Sequence, residues 1–378
     1  MRGLAALYVV LGHVVTLAGA GSAAPNPEPA GMTGLAYRLL DHPHYAVAVF
    51  IVLSGFCLML PVTGSPARTL QGGVTGFLKR RARRILPPYY AALAAVIIIH
   101  LLVLRLTGRS EDATAHMSAG NIVSHLLLLH NLVKDYNMSL NAPMWSVAWE
   151  WQIYFIFALI LLPIWRRFGV FASFSLAMIL SMTPVLLMPA HSNLVWTCPW
   201  YVGLFALGMY AAEVSNSNPS DYLLVKSPVL CKLAIGSIPP AFLLFILLRP
   251  NWLNGEFEWI LDFAMGIFIV ILIVGCIVQS SPNRLLRGFV TVMESKPLAR
   301  LGAFSYSLYL IHAPLLHKIH DVLNRRNHTG QAQFAFLLFA GVPLCLMTAY
   351  VFHLAFERPF MSRRQATPAV SRSVSRRA

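Results

Sequence analysis

Apolar residues run through this chain in long unbroken stretches, separated by short polar segments where Pro, Gly and cations collect. Ten stretches are long enough to cross a bilayer, whose hydrocarbon core of roughly 30 Å takes about 20 helical residues. They fall at 3–21, 46–62, 86–106, 145–165, 170–188, 195–213, 230–249, 258–279, 302–320 and 334–356. Lipid offers the backbone no hydrogen-bond partner, and none of the stretches alternates as a barrel strand would, so each is predicted to be a helix. The expected fold class is all-α: a polytopic integral membrane protein with about ten transmembrane helices. The run Ile122–Leu129 is too short to span and is expected to lie at the surface or to re-enter.

Composition sharpens this picture. The 378 residues are 57% hydrophobic and 11% charged, too little charge to cover a soluble protein. A net charge of +15 invites a nucleic-acid reading. The cations cluster beside apolar runs instead, where they set topology and meet lipid headgroups, so no nucleic-acid partner is expected. With the N-terminus in the cytoplasm, 21 of the 29 Lys and Arg fall on the cytoplasmic side and 8 on the other. That asymmetry predicts both termini inside, with one membrane domain over 1–360 and a short basic cytoplasmic tail over 361–378. The first run also reads as a secretory signal peptide, followed by the small residues Ala18–Ala24. Cleavage there would leave an odd number of spans and put one terminus outside. Cys57, Cys198, Cys231, Cys276 and Cys345 stand singly, with no metal-type pairing, and read as small buried hydrophobes.

Candidate chemistry sits where polar residues interrupt the runs. The first pairs Arg2 with His13; eleven steps of a helix separate them by roughly 16 Å, so His13 lies near mid-membrane if Arg2 sits at a face. A midplane His marks either a functional site or a neutral imidazole bonded to a neighbouring helix. Asp41-His42-Pro43-His44 offers two ligand types but no further ones nearby, so no metal site is expected. Ser54 lies mid-helix without a nucleophile elbow around it and is expected to back-bond to its own helix, with Gly55 allowing close packing. Lys79, Arg80, Arg81, Arg83 and Arg84 crowd an inner loop ahead of Pro87-Pro88, fit for phosphates or for lipid headgroups.

In the fourth run Ser146, Glu150 and Tyr154 share a face, with Glu150 roughly 8 Å below the outer surface and within about 6 Å of the depth of His13. In the ninth, Tyr306, Tyr309 and His312 form a polar edge, and His312 lies roughly 18 Å in, level with His13. The groups expected to line one polar cavity are His13, Ser54, Glu150, Tyr154, Tyr306, Tyr309 and His312.

These residues together resemble the acyltransferase-3 family of integral-membrane acyltransferases. The carriers are Arg2 with His13, Phe50 with Ser54-Gly55-Phe56, and Arg80-Arg81-x-x-Arg84-Ile-x-Pro87-x-Tyr89. To them add Trp145-Ser146-x-x-x-Glu150-x-x-x-Tyr154, Gly302-x-x-Ser305-Tyr306-x-x-Tyr309-Leu-x-His312, and Glu357-Arg358-Pro359-Phe360. Each is short, but they recur in order over almost the whole chain. Relatives usually carry about ten residues, one acidic, ahead of the Arg; here Arg2 follows the first Met. The resemblance implies ten membrane helices in a bacterial cytoplasmic membrane. It also implies transfer of an acyl group, usually acetyl, from a cytoplasmic donor of the acyl-CoA type to a hydroxyl outside. The acceptor expected is a glycan such as an exopolysaccharide, and polysaccharide biosynthesis machinery is the expected partner.

By resemblance His13 is catalytic and Arg2 its partner motif. On chemical grounds Glu150 is expected to orient His13 or support its imidazolium form, with Arg2, Arg80, Arg81 and Arg84 holding the donor phosphates. The rival class is a proton-coupled transporter or flippase with an intramembrane His/Glu pair.

Overall fold

The computed structural model describes residues 1–20, 39–107, 117–189, 192–218, 258–277, 284–326 and 330–361, with single positions between them. All of the expected span 230–249 except Gly236, and all but the first residue of the basic tail, lie outside the described residues, Cys231 among them. What is described is helical, and seven helices are long and apolar enough to cross a membrane. One of these, Met144–Leu187, contains two of the expected spans; its run is broken at Gly169, whose φ of 86° and ψ of 179° are not helical. The expected ninth span is the helix Ser305–Arg325, which is less apolar than the seven because it carries buried polar groups.

We label α1 Arg2–Ala20, α2 His44–Thr63, α3 Gly73–Thr107, α4 Ala119–Leu126 and α5 Met144–Ile156. A π-turn, Phe157–Leu161, joins α5 to α6, Leu162–Leu187. Then come α7 Tyr201–Asn216, α8 Glu258–Ile277 and α9 Ser305–Arg325. The last helical run holds α10 Gly330–Phe336 and α11 Val342–Phe352, with π-turns at Leu337–Gly341 and His353–Glu357.

Helix α1 is central: Ala6, Val10 and Val14 are fully buried and pack with Leu308 and Leu316 of α9 and with Cys345 and Ala349 of α11. Without side chains to hold them apart, α2 and α7 approach closely. A Cβ at Gly55 would meet Phe205 O at 2.0 Å, and one at Gly208 would meet Val52 O at 2.1 Å. Small residues at such crossings let dispersion and backbone contacts hold helices together where lipid supplies no hydrophobic drive.

The cationic segment differs from the loop expected. Residues 79–84 are the early turns of α3, a helix of 35 residues that continues through Pro87 and Pro88. Proline removes the i→i−4 bond and disfavours helix in the residue before it, which is why the sequence pattern suggests a boundary there. The Cys expectation also changes: Cys345 is buried, Cys198 and Cys276 are half-buried, and Cys57 is exposed.

Candidate functional site

Two polar groups lie along α1, one at each end of the stretch from Arg2 to His13. At the Arg2 end, Arg2 Nη2 donates to Ser54 Oγ (3.4 Å), and Ser54 Oγ donates to Glu150 Oε1 (2.6 Å). Tyr154 OH donates to the same oxygen, at 2.7 Å. Ser54 thus bridges two helices, where back-bonding to its own was expected. Arg84 lies within electrostatic reach of Arg2, Arg81, Tyr154 and Glu357, and Arg81 also reaches Tyr154. Arg80 points away: it is exposed, and its Nη2 donates to Gln71 O at 2.6 Å. Three guanidinium groups therefore converge, with Glu150 and Glu357 as the nearby carboxylates.

Glu357 is fixed by the π-turn at His353–Glu357. Its Oε2 accepts from Ser307 Oγ at 2.6 Å and is bonded to His353 Nδ1 at 2.8 Å. A π-turn inserts one residue into the helical register and re-aims the side chains beyond it, a common device at functional sites. The sequence motif Glu-Arg-Pro-Phe therefore closes the cationic pole from the last helix. The Tyr306 hydroxyl is engaged as well, donating to Ile85 O of α3 at 3.1 Å.

At the other group, the rings of His13 and His312 meet edge to face, with centroids 4.9 Å apart and planes at 80°. Each Nδ1 faces a carbonyl one turn back: His13 to Val9 O at 2.9 Å and His312 to Leu308 O at 3.0 Å. A carbonyl only accepts, so in the neutral rings both Nδ1 atoms carry the proton and both Nε2 atoms present a lone pair. His312 Nε2 is buried and has no hydrogen-bond partner among the described residues. Tyr309 shares this wall, its ring 5.9 Å from His312 and its hydroxyl 2.6 Å from Ser146 Oγ.

Depth arithmetic puts Glu150 within about 6 Å of the depth of His13; the structure brings Glu150 to Ser54 and Arg2, and brings His13 to His312. The reason is the start of α5. Met144 is fully buried and Trp145 nearly so, beneath the folded segment 117–141, so this helix begins inside the protein rather than at its surface. Ser146, one turn earlier than Glu150, occupies the level expected for Glu150.

Sequence reasoning missed two features. Pro314 lies inside α9 and deprives Leu310 O of its helical donor. Asn141 Nδ2 replaces that donor at 2.8 Å, pinning the helix two residues from His312. The segment 117–141 is itself a polar cap: Asn121, His125, His130, Asn131, Asn137 and Asn141 are all buried. The His125 and His130 rings stack at 3.8 Å. Burial pushes His125 down to about 4, and burial with the neighbouring His125 pushes His130 down to about 3. The Asn-rich, His-bearing composition of a stretch too short to span was the available signal. Among the described residues no three His, Cys, Asp or Glu side chains gather as metal ligands.

The family model described as an acyltransferase domain, that of the acyltransferase-3 family, matches residues 1–350. The chain is similar to the acyltransferase MdmB of Streptomyces mycarofaciens, with 24% identity over 348 residues, covering 84% of this chain and 80% of that protein. No solved structure matches it.

Proposed function

As a member of the acyltransferase-3 family this chain is a multi-pass membrane acyltransferase, and we propose that it moves an acetyl group from an acyl-CoA to a hydroxyl of a cell-surface glycan. In this reading the Arg2 end of α1 faces the cytoplasm of a bacterial cell and the His13 side communicates with the outside. The observation that carries it is the arrangement along one helix. A cluster of guanidinium groups lies at Arg2, and roughly 16 Å further along stands a His whose Nδ1 faces a carbonyl, which leaves Nε2 the lone pair to take a proton.

Arg2, Arg81 and Arg84 hold the donor phosphates, since guanidinium binds phosphate oxygens bidentately. The thin thioester arm then follows α1 inward. His13 Nε2 removes the proton from the acceptor hydroxyl while its oxygen attacks the thioester carbonyl carbon. The tetrahedral intermediate collapses with cleavage of the C–S bond, and the imidazolium returns the proton to the leaving thiolate. Glu150 acts at the donor pole, offsetting the guanidinium charge; the role on His13 expected from sequence passes to His312. The lone pair of His312 Nε2 stabilises the transient imidazolium, and the Tyr309–Ser146 hydroxyl pair lies beside it as a donor to the developing oxyanion.

The test is initial acetyl transfer from acetyl-CoA by purified protein in nanodiscs. His13→Ala should lower the rate by about 10²–10⁴ while the protein stays folded by gel filtration. Transfer near the wild-type rate by His13→Ala would overturn the mechanism.

A further inference from the structure

We propose that Asp41, His42 and His44, with the buried Asp262 behind them, form the subsite that binds the acceptor as a polyhydroxylated ring such as a sugar. This rests on the acyl-transfer reading above and assigns the side of the site which that reading leaves without residues.

Position is the first argument. Residues 39–44 lie directly against the turn of α1 that carries His13. A Cβ at Gly12 would meet Leu40 O at 2.7 Å and Pro43 Cβ at 3.1 Å, so this segment occupies the room a side chain would take. Tyr8 OH ties the segment down by donating to Leu39 O at 2.7 Å. Thr16, one turn beyond His13 and away from Arg2, bonds both Gly12 O (3.0 Å) and Asp41 Oδ1 (3.4 Å). The segment therefore borders His13 on the side opposite the cationic pole, where the second substrate must arrive.

Chemistry is the second. Asp262 is fully buried on α8; its Oδ2 accepts from Trp200 Nε1 at 2.7 Å, and its Oδ1 lies 3.7 Å from His44 Nε2. A buried carboxylate is costly unless it is paired; here it accepts from the Trp200 indole and faces an imidazole that remains partly exposed. The His42 ring stacks on Tyr45 at 5.4 Å with planes 10° apart, and the His44 ring lies 4.3 Å from Tyr45. Carboxylate oxygens accept from hydroxyls, imidazole nitrogens exchange hydrogen bonds with them, and flat rings cover the apolar face of a sugar. That mixture of acceptors, imidazoles and flat rings suits a polyol, which offers hydroxyls around its edge and apolar faces above and below the ring.

Two measurements on the full chain in nanodiscs test this. In the first, acetyl-CoA is the donor and methyl glucoside the acceptor. Asp41→Asn and His44→Gln should each raise the acceptor KM about tenfold or more, with the donor KM within about twofold of wild type. Movement of the donor KM instead, or an unchanged acceptor KM, would overturn the subsite. In the second, diethyl pyrocarbonate labelling of His42 and His44 is followed by mass spectrometry. Methyl glucoside should slow it, and cyclohexylmethanol, a ring of like size without the ring hydroxyls, should not. The labelling needs no turnover and should be unchanged in His13→Ala. Protection without transfer would leave the subsite standing and remove the reading of acetyl transfer from acyl-CoA to a glycan hydroxyl. Absence of protection at the highest soluble methyl glucoside would remove the subsite whatever the transfer assay shows.

Discussion

At the scale of single residues, the hydrogen bonds of Glu150 separate two roles that one carboxylate can play. A Glu supporting an imidazolium would set the pH dependence of turnover; a Glu offsetting guanidinium groups would set donor affinity. Glu150 Oε1 accepts from Ser54 and Tyr154, and Ser54 in turn binds Arg2. The Gln amide oxygen can still accept both hydroxyl bonds, so Glu150→Gln removes only the charge. Its expected outcome is an altered donor KM with the pH profile of kcat unmoved, measured by transfer assays between pH 6 and 9. The cationic motif divides in the same way. Arg84→Ala should raise the donor KM by about tenfold, the loss of one charge-assisted contact. Arg80→Ala should raise it less, because Arg80 is exposed and turned to Gln71 O. Equal effects of the two changes in donor saturation curves would place Arg80 within the phosphate site.

Elements are held in register by groups that repair broken helical bonds. Asn141 supplies the donor that Pro314 denies to Leu310 O, beside His312. Asn141→Leu should cost about 1–3 kcal/mol, the penalty of a buried unsatisfied carbonyl, read as a lower thermal midpoint in detergent. Pro314→Ala in that background restores a backbone N–H and should recover part of the loss, a coupling that separate measurements of each change would reveal. The cap 117–141 carries its own pH dependence. His125 and His130 have folded-state pKa values of about 4 and about 3, below the ordinary 6.5. The unfolded segment therefore binds more protons, and stability is full above pH 6.5 and lost as pH falls. At pH 5 the loss is on the order of 2 kcal/mol per ring. Hydrogen exchange over 119–132 should accelerate between pH 7 and 5 once corrected for intrinsic rates, and His125→Asn should blunt that response.

For the whole molecule the prediction is topological. The Lys and Arg asymmetry predicts that the Arg2 end of α1 and the start of α3 face the cytoplasm. Reporter fusions after residue 75 should read inside, and fusions after residues 30 and 135 should read outside. The reverse pattern would put the donor pole on the wrong face of the membrane and end the reading of acyl transfer from a cytoplasmic thioester.

Hydrophobic run length determined that the chain is helical and membrane-embedded, because the bilayer permits few other solutions and their signature is local. The spacing of Arg2 to His13 and of Tyr306 to His312 determined that two histidines lie at one depth, since the helical rise is constant. Residue order along α5 also put Ser146, Glu150 and Tyr154 on one face. That Ser146, bonded to Tyr309 beside His312, and not Glu150 stands at the histidine wall was decided by tertiary structure: the buried start of α5 shifts the whole helix relative to α1, and no local pattern records such a shift. Long-range partners escaped for the same reason. Asn141 and Leu310, and Ser54 and Glu150, meet through packing between segments distant in sequence. Glu357, aimed by its π-turn, is held by Ser307 from another helix as well as by His353 of the turn itself, and only the second of these partners is local in sequence.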